Sequence, residues 1–178
     1  EQTEKLDFLI QSLVKLSRME SGIIAVHSED TTIKQMLESI QQQFNVKVRE
    51  KNITLSLCDT DLHVRCDSKW TVEALGNIVD NAIKYTACGG NVQIKVEQYS
   101  FFVKIDIIDD GIGIEKEEIP KIFGRFYRSL SVADQPGVGI GLFLAREIIQ
   151  AQKGYIKVTS KRGKGSTFSV FLPIAKKE

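Results

Sequence analysis

The sequence has 178 residues, 42% of them hydrophobic and 26% charged, with a net charge of +1. That length suits one domain of ordinary size plus an appended element, and the near balance of 24 basic and 23 acidic residues gives no general attraction to nucleic acid or an anionic membrane surface. No apolar run approaches the roughly 18 residues of a membrane span, no signal-peptide pattern is present, and Cys58, Cys66 and Cys88 lack metal-ligand spacing, which suits a reducing compartment.

Residues 1–22 place Leu6, Leu9, Ile10, Leu13, Val14 and Leu16 close to heptad spacing, so they predict a helix that needs a partner helix. Gly22 and the stretch HSED mark a linker, assigned to 23–29. From residue 30 a larger unit is expected to run to 178. Asp30 or Thr31 is expected to cap a helix in which Ile33, Met36, Leu37, Ile40, Phe44 and Val48 recur every three to four residues. ITLSLC and HVRC alternate as short strands, and Asp67 or Ser68 then caps a second helix. NVQIKVEQ and FFVKIDIID, separated by Tyr99 and Ser100, read as a hairpin. A stretch rich in Gly, Pro and charge follows over 114–138, interrupted by IFGRFYR. The helix GLFLAREIIQAQ, stopped by Gly154, and a hairpin of YIKVTS and STFSVFLP complete the chain. The expected fold is α+β: a two-layer sandwich with a mixed, mostly antiparallel sheet of about five strands and about three helices on one face.

Three segments carry chemistry. Around NIVDNAIKYT, helical geometry puts Asn77, Asn81 and Lys84 within about 60 degrees of arc, opposite Val72, Leu75, Ile78, Val79, Ala82 and Ile83. A solvated face on a core helix would show the same two-sidedness. Asn, however, is an indifferent helix former, and two carboxamides offer a hard oxygen to Mg²⁺ and an NH₂ to phosphate without adding negative charge. In VKIDIIDDGIGI, strand alternation ends the apolar row Val103, Ile105, Ile107 in the carboxylate of Asp109, which at a core edge needs donors such as an adenine amino group. Gly111 and Gly113 let the backbone turn closely past a flat ring. In PGVGIGLFLAREI, Gly137, Gly139 and Gly141 precede and open a helix whose free N–H groups suit phosphate. Each segment alone is also explained by ordinary turns and loops, and none is a Walker or dinucleotide fingerprint.

Their order is more telling: a polar-striped helix, DxGxG after a strand, an aromatic-basic segment, GxGxGL opening a helix, and GxGST in a hairpin. In this the sequence strongly resembles the catalytic, ATP-binding domain of bacterial sensor histidine kinases of two-component systems, within the GHKL superfamily. The resemblance covers about residues 30–174 and implies the Bergerat-type ATP-binding fold. It makes Asn77 and Asn81 the asparagines of the N box, Asn81 the Mg²⁺ ligand, Lys84 a phosphate contact and Tyr85 a wall of the nucleotide site. Asp109 becomes the adenine-reading carboxylate, with Gly111, Gly113 and Ile114 beside it. IFGRFYR resembles the F box, where Phe123 and Phe126 would pack under a lid and Arg125 or Arg128 would reach phosphate. Gly137, Gly139, Gly141 and Leu142 form the second glycine box, and Thr167 or Ser166 in the third would lie near the base. Gly124, Val138 and Ile140 depart from the family pattern, and the lid is short.

Residues 1–22 resemble the second helix of the dimerisation and phosphoacceptor hairpin; the first helix and its acceptor histidine are not in this sequence, and neither His27 nor His63 has the acceptor's helical, acid-flanked setting. The implied cofactors are ATP and Mg²⁺. The implied partners are a response regulator receiver domain and, through the hairpin, a second copy in the intact protein. Neither nucleic acid nor membrane contact is implied for these residues, and the implied place is the cytoplasm, with an anchor upstream. Two rivals are a clamp ATPase of the gyrase or mismatch-repair type, which would need a glutamate at Asn77, and a nucleotide-binding regulatory module without kinase activity.

Overall fold

The computed structural model describes residues 26–132, 135 and 137–174, together with Ile10, Val14 and Ser17, which are helical and exposed. The rest of the predicted helix over 1–22 lies outside the described residues. Strand β1 (Glu29–Thr32) leads directly into helix α1 (Ile33–Glu50), followed by β2 (Thr54–Leu57), β3 (His63–Cys66), α2 (Ser68–Tyr85), β4 (Asn91–Gln98), β5 (Phe102–Asp109), α3 (Gly141–Ala151), β6 (Tyr155–Lys161) and β7 (Gly165–Pro173).

The main sheet has the order β2-β4-β5-β7-β6, with β2 parallel to β4 and the other neighbours antiparallel. β1 and β3 form a separate antiparallel pair, joined to the end of β7 by a bridge between Val64 and Ile174. One face of the sheet is apolar, with Val92 and Ile94 on β4, Val103, Ile105 and Ile107 on β5, and Phe168, Val170 and Leu172 on β7 all buried. The helices close over it. α1 contributes Ile33, Met36, Leu37, Ile40 and Phe44, and α2 contributes Leu75, Ile78, Val79, Ala82 and Ile83, the stripe that helical periodicity predicts. The opposite sheet face carries a half-buried ring cluster in which Tyr155 stacks on Phe171 at 4.4 Å.

Asp67 caps α2: its Oδ1 accepts from the Trp70 N–H at 3.1 Å. The same residue ties α2 to α3, because its own N–H donates to Gln152 Oε1 at 2.6 Å and Thr71 Oγ1 donates to that oxygen at 3.2 Å. The expected cap of α1 is corrected. Asp30 and Thr31 belong to β1, and the N-cap is Thr32, whose side chain makes no capping bond. EDTT has no apolar alternation; it becomes a strand by pairing with His63–Cys66 more than thirty residues away, with the Asp30 carboxylate 2.6 Å from His63 Nδ1. α3 ends at Ala151, and the Gly154 N–H reaches back to the Ile149 carbonyl at 2.9 Å. Among the described residues no helix is long and apolar enough to cross a membrane.

Candidate functional site

The C-terminal half of α2, the end of β5 and the turn into α3 surround a cavity of about 200 Å³. From α2 come Asn77, Asn81, Lys84 and Tyr85, from β5 Asp109, and from the loop after it Gly113 and Ile114. Arg128 lines the cavity from the irregular segment that follows, and Gly137, Gly139, Gly141 and Leu142 line it from the α3 side. The amide pair and the strand-ending carboxylate therefore face one hollow.

The contacts between these elements are tight. A Cβ on Gly141 would lie 3.3 Å from Asn77 Oδ1, and one on Gly137 would lie 2.8 Å from Lys84 Nζ, so the glycine turn runs against the polar stripe of α2. Gly139 has φ +78, and a Cβ there would come within 2.6 Å of the Tyr127 carbonyl. Asn77 Nδ2 is buried and has no hydrogen-bond partner among the described residues. A buried orphan donor beside a cavity is a group waiting for an acceptor.

At the other end, Asp109 is buried, and its Oδ1 accepts from the N–H groups of Gly111 at 2.9 Å and Ser166 at 3.2 Å. Burial pushes its carboxyl above the ordinary range, against the downward pull of those two N–H groups. Ser166 sits opposite Asp109 in the β5–β7 register, and its hydroxyl lies 2.9 Å from Ser160 Oγ, which accepts from the Ile114 N–H at 2.8 Å. A chain of polar contacts thus holds Asp109, Ser166, Ser160 and Ile114 in fixed relation. Ser160 lies in a strand whose sequence gives no sign of it; only the β6–β7 register, Ser160 opposite Ser166, reveals the pair.

Four predicted residues do not line the cavity. Gly111 stands behind it, supplying the N–H that orients Asp109, and a Cβ there would meet the Tyr85 carbonyl at 2.6 Å. Thr167 projects to the other face of β7, and the sheet pairing puts Ser166 and Phe168 at the cavity instead. Arg125 lies over the Phe143 ring at 4.7 Å, and Phe126, at 55% exposure, points to solvent, whereas Phe123 packs against the core. Of the two arginines it is Arg128 that reaches the cavity; its Nη2 donates to the carbonyls of Val132, at 2.9 Å, and Gln135. Residues the motifs did not single out also line it: Asp80, held by Lys47 at 2.5 Å, and Ile112, Tyr127 and Ser131. His27 and His63 lie elsewhere.

A profile described as "Histidine kinase-, DNA gyrase B-, and HSP90-like ATPase" matches residues 66–176, well over half of the chain. The chain belongs to this ATPase family. Within it, the sensor histidine kinase WalK of Bacillus subtilis is 34% identical over 177 residues, an alignment covering 97% of this chain and 29% of WalK. Among solved structures, the histidine kinase AdeS of Acinetobacter baumannii is 26% identical with a TM-score of 0.78, covering 98% of this chain and 81% of that one. The catalytic domain of the histidine kinase ThkA is 26% identical with a TM-score of 0.73, covering 83% and 96%; ThkA is also known in complex with the response regulator TrrA. This family member thus spans less than a third of WalK's length.

Proposed function

We propose that the chain is the ATP-binding catalytic domain of a sensor histidine kinase. The observation that carries the reading is the meeting of the Asn77–Asn81–Lys84 stripe, Asp109 and the glycine turn around one cavity. Asp109 accepts a hydrogen bond from the adenine amino group through Oδ2, since Oδ1 already takes two backbone N–H groups. Lys84, Arg128 and the N–H groups at the start of α3 neutralise and place the phosphates.

The residues also fit Mg²⁺. Among the described residues no three His, Cys, Asp or Glu side chains cluster as a cage, but Mg²⁺ bound through nucleotide phosphates needs only one or two protein oxygens, and Asn81 offers one. When bound, the ion supplies charge neutralisation between the phosphates. Asn77, with its orphan amide donor against the glycine turn, completes that wall.

The reaction follows from placement. The γ-phosphoryl group is held facing the cavity mouth, an imidazole nitrogen of a histidine presented by the hairpin attacks phosphorus, the bond to the ADP oxygen breaks, and ADP leaves. A receiver-domain aspartate of a response regulator then takes the phosphoryl group, as the ThkA–TrrA complex suggests for that kinase. Water is a poor rival acceptor, because an amide at Asn77 cannot take its proton as a glutamate would. Two measurements test the reading together: calorimetric titration with ATP, with and without Mg²⁺, and labelling of a separately supplied hairpin carrying its histidine. The expected results are Mg²⁺-dependent binding and acid-labile phosphohistidine; ATP binding without any labelled histidine would leave only a nucleotide-binding module.

A further inference from the structure

The helical ladder of α2 ends at the Ala82 carbonyl and leaves those of Ile83, Lys84 and Tyr85 to partners outside the helix, each of them defined. The Ala82 carbonyl accepts from the Thr86 N–H at 3.1 Å, and the Tyr85 carbonyl from the Ile112 N–H at 3.2 Å. The two between them, Ile83 and Lys84, accept from Lys51 Nζ at 2.9 and 2.7 Å, and the same ammonium reaches the Thr86 carbonyl at 2.7 Å. Lys51 belongs to another element, the C-cap of α1, and does not line the cavity. Its three donors meet three carbonyls, an arrangement that suits a tetrahedral ammonium and not a planar guanidinium. The turn that carries it is fastened to the same loop twice more: the Gly89 N–H donates to the Lys51 carbonyl at 3.2 Å and the Thr54 N–H to the Gly90 carbonyl at 2.9 Å.

Lys84 and Tyr85 are the last two residues of α2, and both side chains face the cavity. Their backbone is clamped from two directions, by Lys51 on the α1 side and by Ile112, three residues past Asp109, on the sheet side. These bonds set the offset between the carboxylate at one end of the cavity and the lysine at the other. A cation against a helix C-terminus is also favoured by the helix dipole.

We propose that Lys51 is a positioning residue for triphosphate binding: its ammonium, locked onto the carbonyls of Ile83, Lys84 and Thr86, holds the backbone from which Lys84 reaches phosphate. This rests on the reading of Lys84 as a phosphate contact. Lys51 itself touches no ligand, and it acts through a residue 33 positions along the chain.

The test is a double-mutant cycle on ATP and adenosine affinities, read by competition calorimetry beside a circular dichroism melt. Lys51→Met keeps the aliphatic stem and removes the donors. It is expected to weaken ATP about tenfold while adenosine stays within about twofold. Lys51→Arg, with charge but the wrong donor geometry, should fail to restore ATP affinity fully. In a Lys84→Ala background, Lys51→Met should cost ATP less than a further twofold, because the two act through one contact. Additive losses in the double variant, or equal losses of ATP and adenosine in Lys51→Met, would overturn the inference. So would loss of adenosine binding with unfolding in both Lys51→Met and Lys51→Gln, which would make the residue a plain structural cap. A Lys84→Ala protein that binds ATP as the parent does would instead refute the phosphate role of Lys84, and the inference with it, before Lys51 is altered.

Discussion

Replacing Asp109 by Asn separates what this carboxylate does for the ligand from what it costs the fold. The side chain is buried, and its Oδ1 is fixed by the N–H groups of Gly111 and Ser166. An Asn amide oxygen can take over that position, so the loop and the β5–β7 register should survive. The NH₂ group must then occupy the place of Oδ2 and oppose the amino group of adenine, donor against donor. A hydrogen bond to a charged acceptor contributes about 1.5–3 kcal/mol, so its loss alone weakens ATP about 10- to 150-fold, and the opposed donors push the result to the upper end. Calorimetry gives the affinity. An Asp109→Asn protein that binds ATP like the parent would refute the assignment of Asp109 to the base.

Stability should move the other way. Because burial raises the Asp109 carboxyl above its ordinary range, the folded state holds that proton more readily than the unfolded chain does. The contribution to stability is complete below the unfolded value of about pH 4 and is lost as pH rises through the raised folded value. At neutral pH the parent carries a buried charge and the Asn protein does not. The expected result is a melting temperature for Asp109→Asn that equals the parent's near pH 4 and exceeds it at pH 7. A variant that melts lower at pH 7 and also loses ATP would show a structural carboxylate and refute the reasoning on both counts.

The other expectations are of the same kind. Asn81→Ala should abolish the Mg²⁺ dependence of ATP binding with little change in the melting temperature, because the side chain lies on the polar face of α2; calorimetry with and without Mg²⁺ checks it. Lys84→Ala should weaken ATP more than adenosine, and equal losses would show that it does not touch phosphate. Gly113→Ala should cost at least about 2 kcal/mol by denaturant unfolding, since φ is +66 and the new Cβ would fall 2.1 Å from the Lys161 carbonyl. Gln152→Ala orphans the Asp67 N–H and the buried Thr71 hydroxyl and should lower stability by about 2 kcal/mol, a fall of roughly 6 °C in a thermal melt.

What the sequence made legible is what its periodicities encode. α2 is visible because Ile78, Val79, Ala82 and Ile83 repeat at helical spacing behind an Asp67 cap, and Asp109 is visible because a strand of alternating apolar residues ends in it. β1 is invisible because Glu29–Thr32 has no apolar alternation and pairs only through the tertiary fold. The choice between Ser166 and Thr167 is one of strand parity, which GKGST does not reveal until β7 is set against β5. Between residues 115 and 128 the backbone is a run of turns with no repeat, so nothing in IFGRFYR tells that Arg128 faces the cavity while Arg125 lies on Phe143. Lys51 leaves no sequence signal at all, since its partners are backbone carbonyls that every residue type possesses.

The site can be open and the fold still firm because the two ends of the cavity are built by different means. At the Asp109 end, a sheet register aligns a carboxylate with Ser166, and backbone N–H groups from the loop after β5 and from the start of β7 offset part of the cost of burying it. At the Lys84 end, the carbonyls of a helix terminus are satisfied by Lys51 and Ile112, so the last turn of α2 stays wound up to the cavity wall. The glycine turn before α3 closes the third side without bringing a Cβ against Asn77, which leaves that amide donor unsatisfied. Two polar groups at the cavity are left for a ligand: Asp109 Oδ2, which can take a donor while Oδ1 holds two backbone N–H groups, and Asn77 Nδ2, which is buried among the described residues without an acceptor. A ligand with an amino-bearing ring at one end and anionic oxygens at the other meets both demands at once, and a ligand lacking either end leaves one of the two unmet.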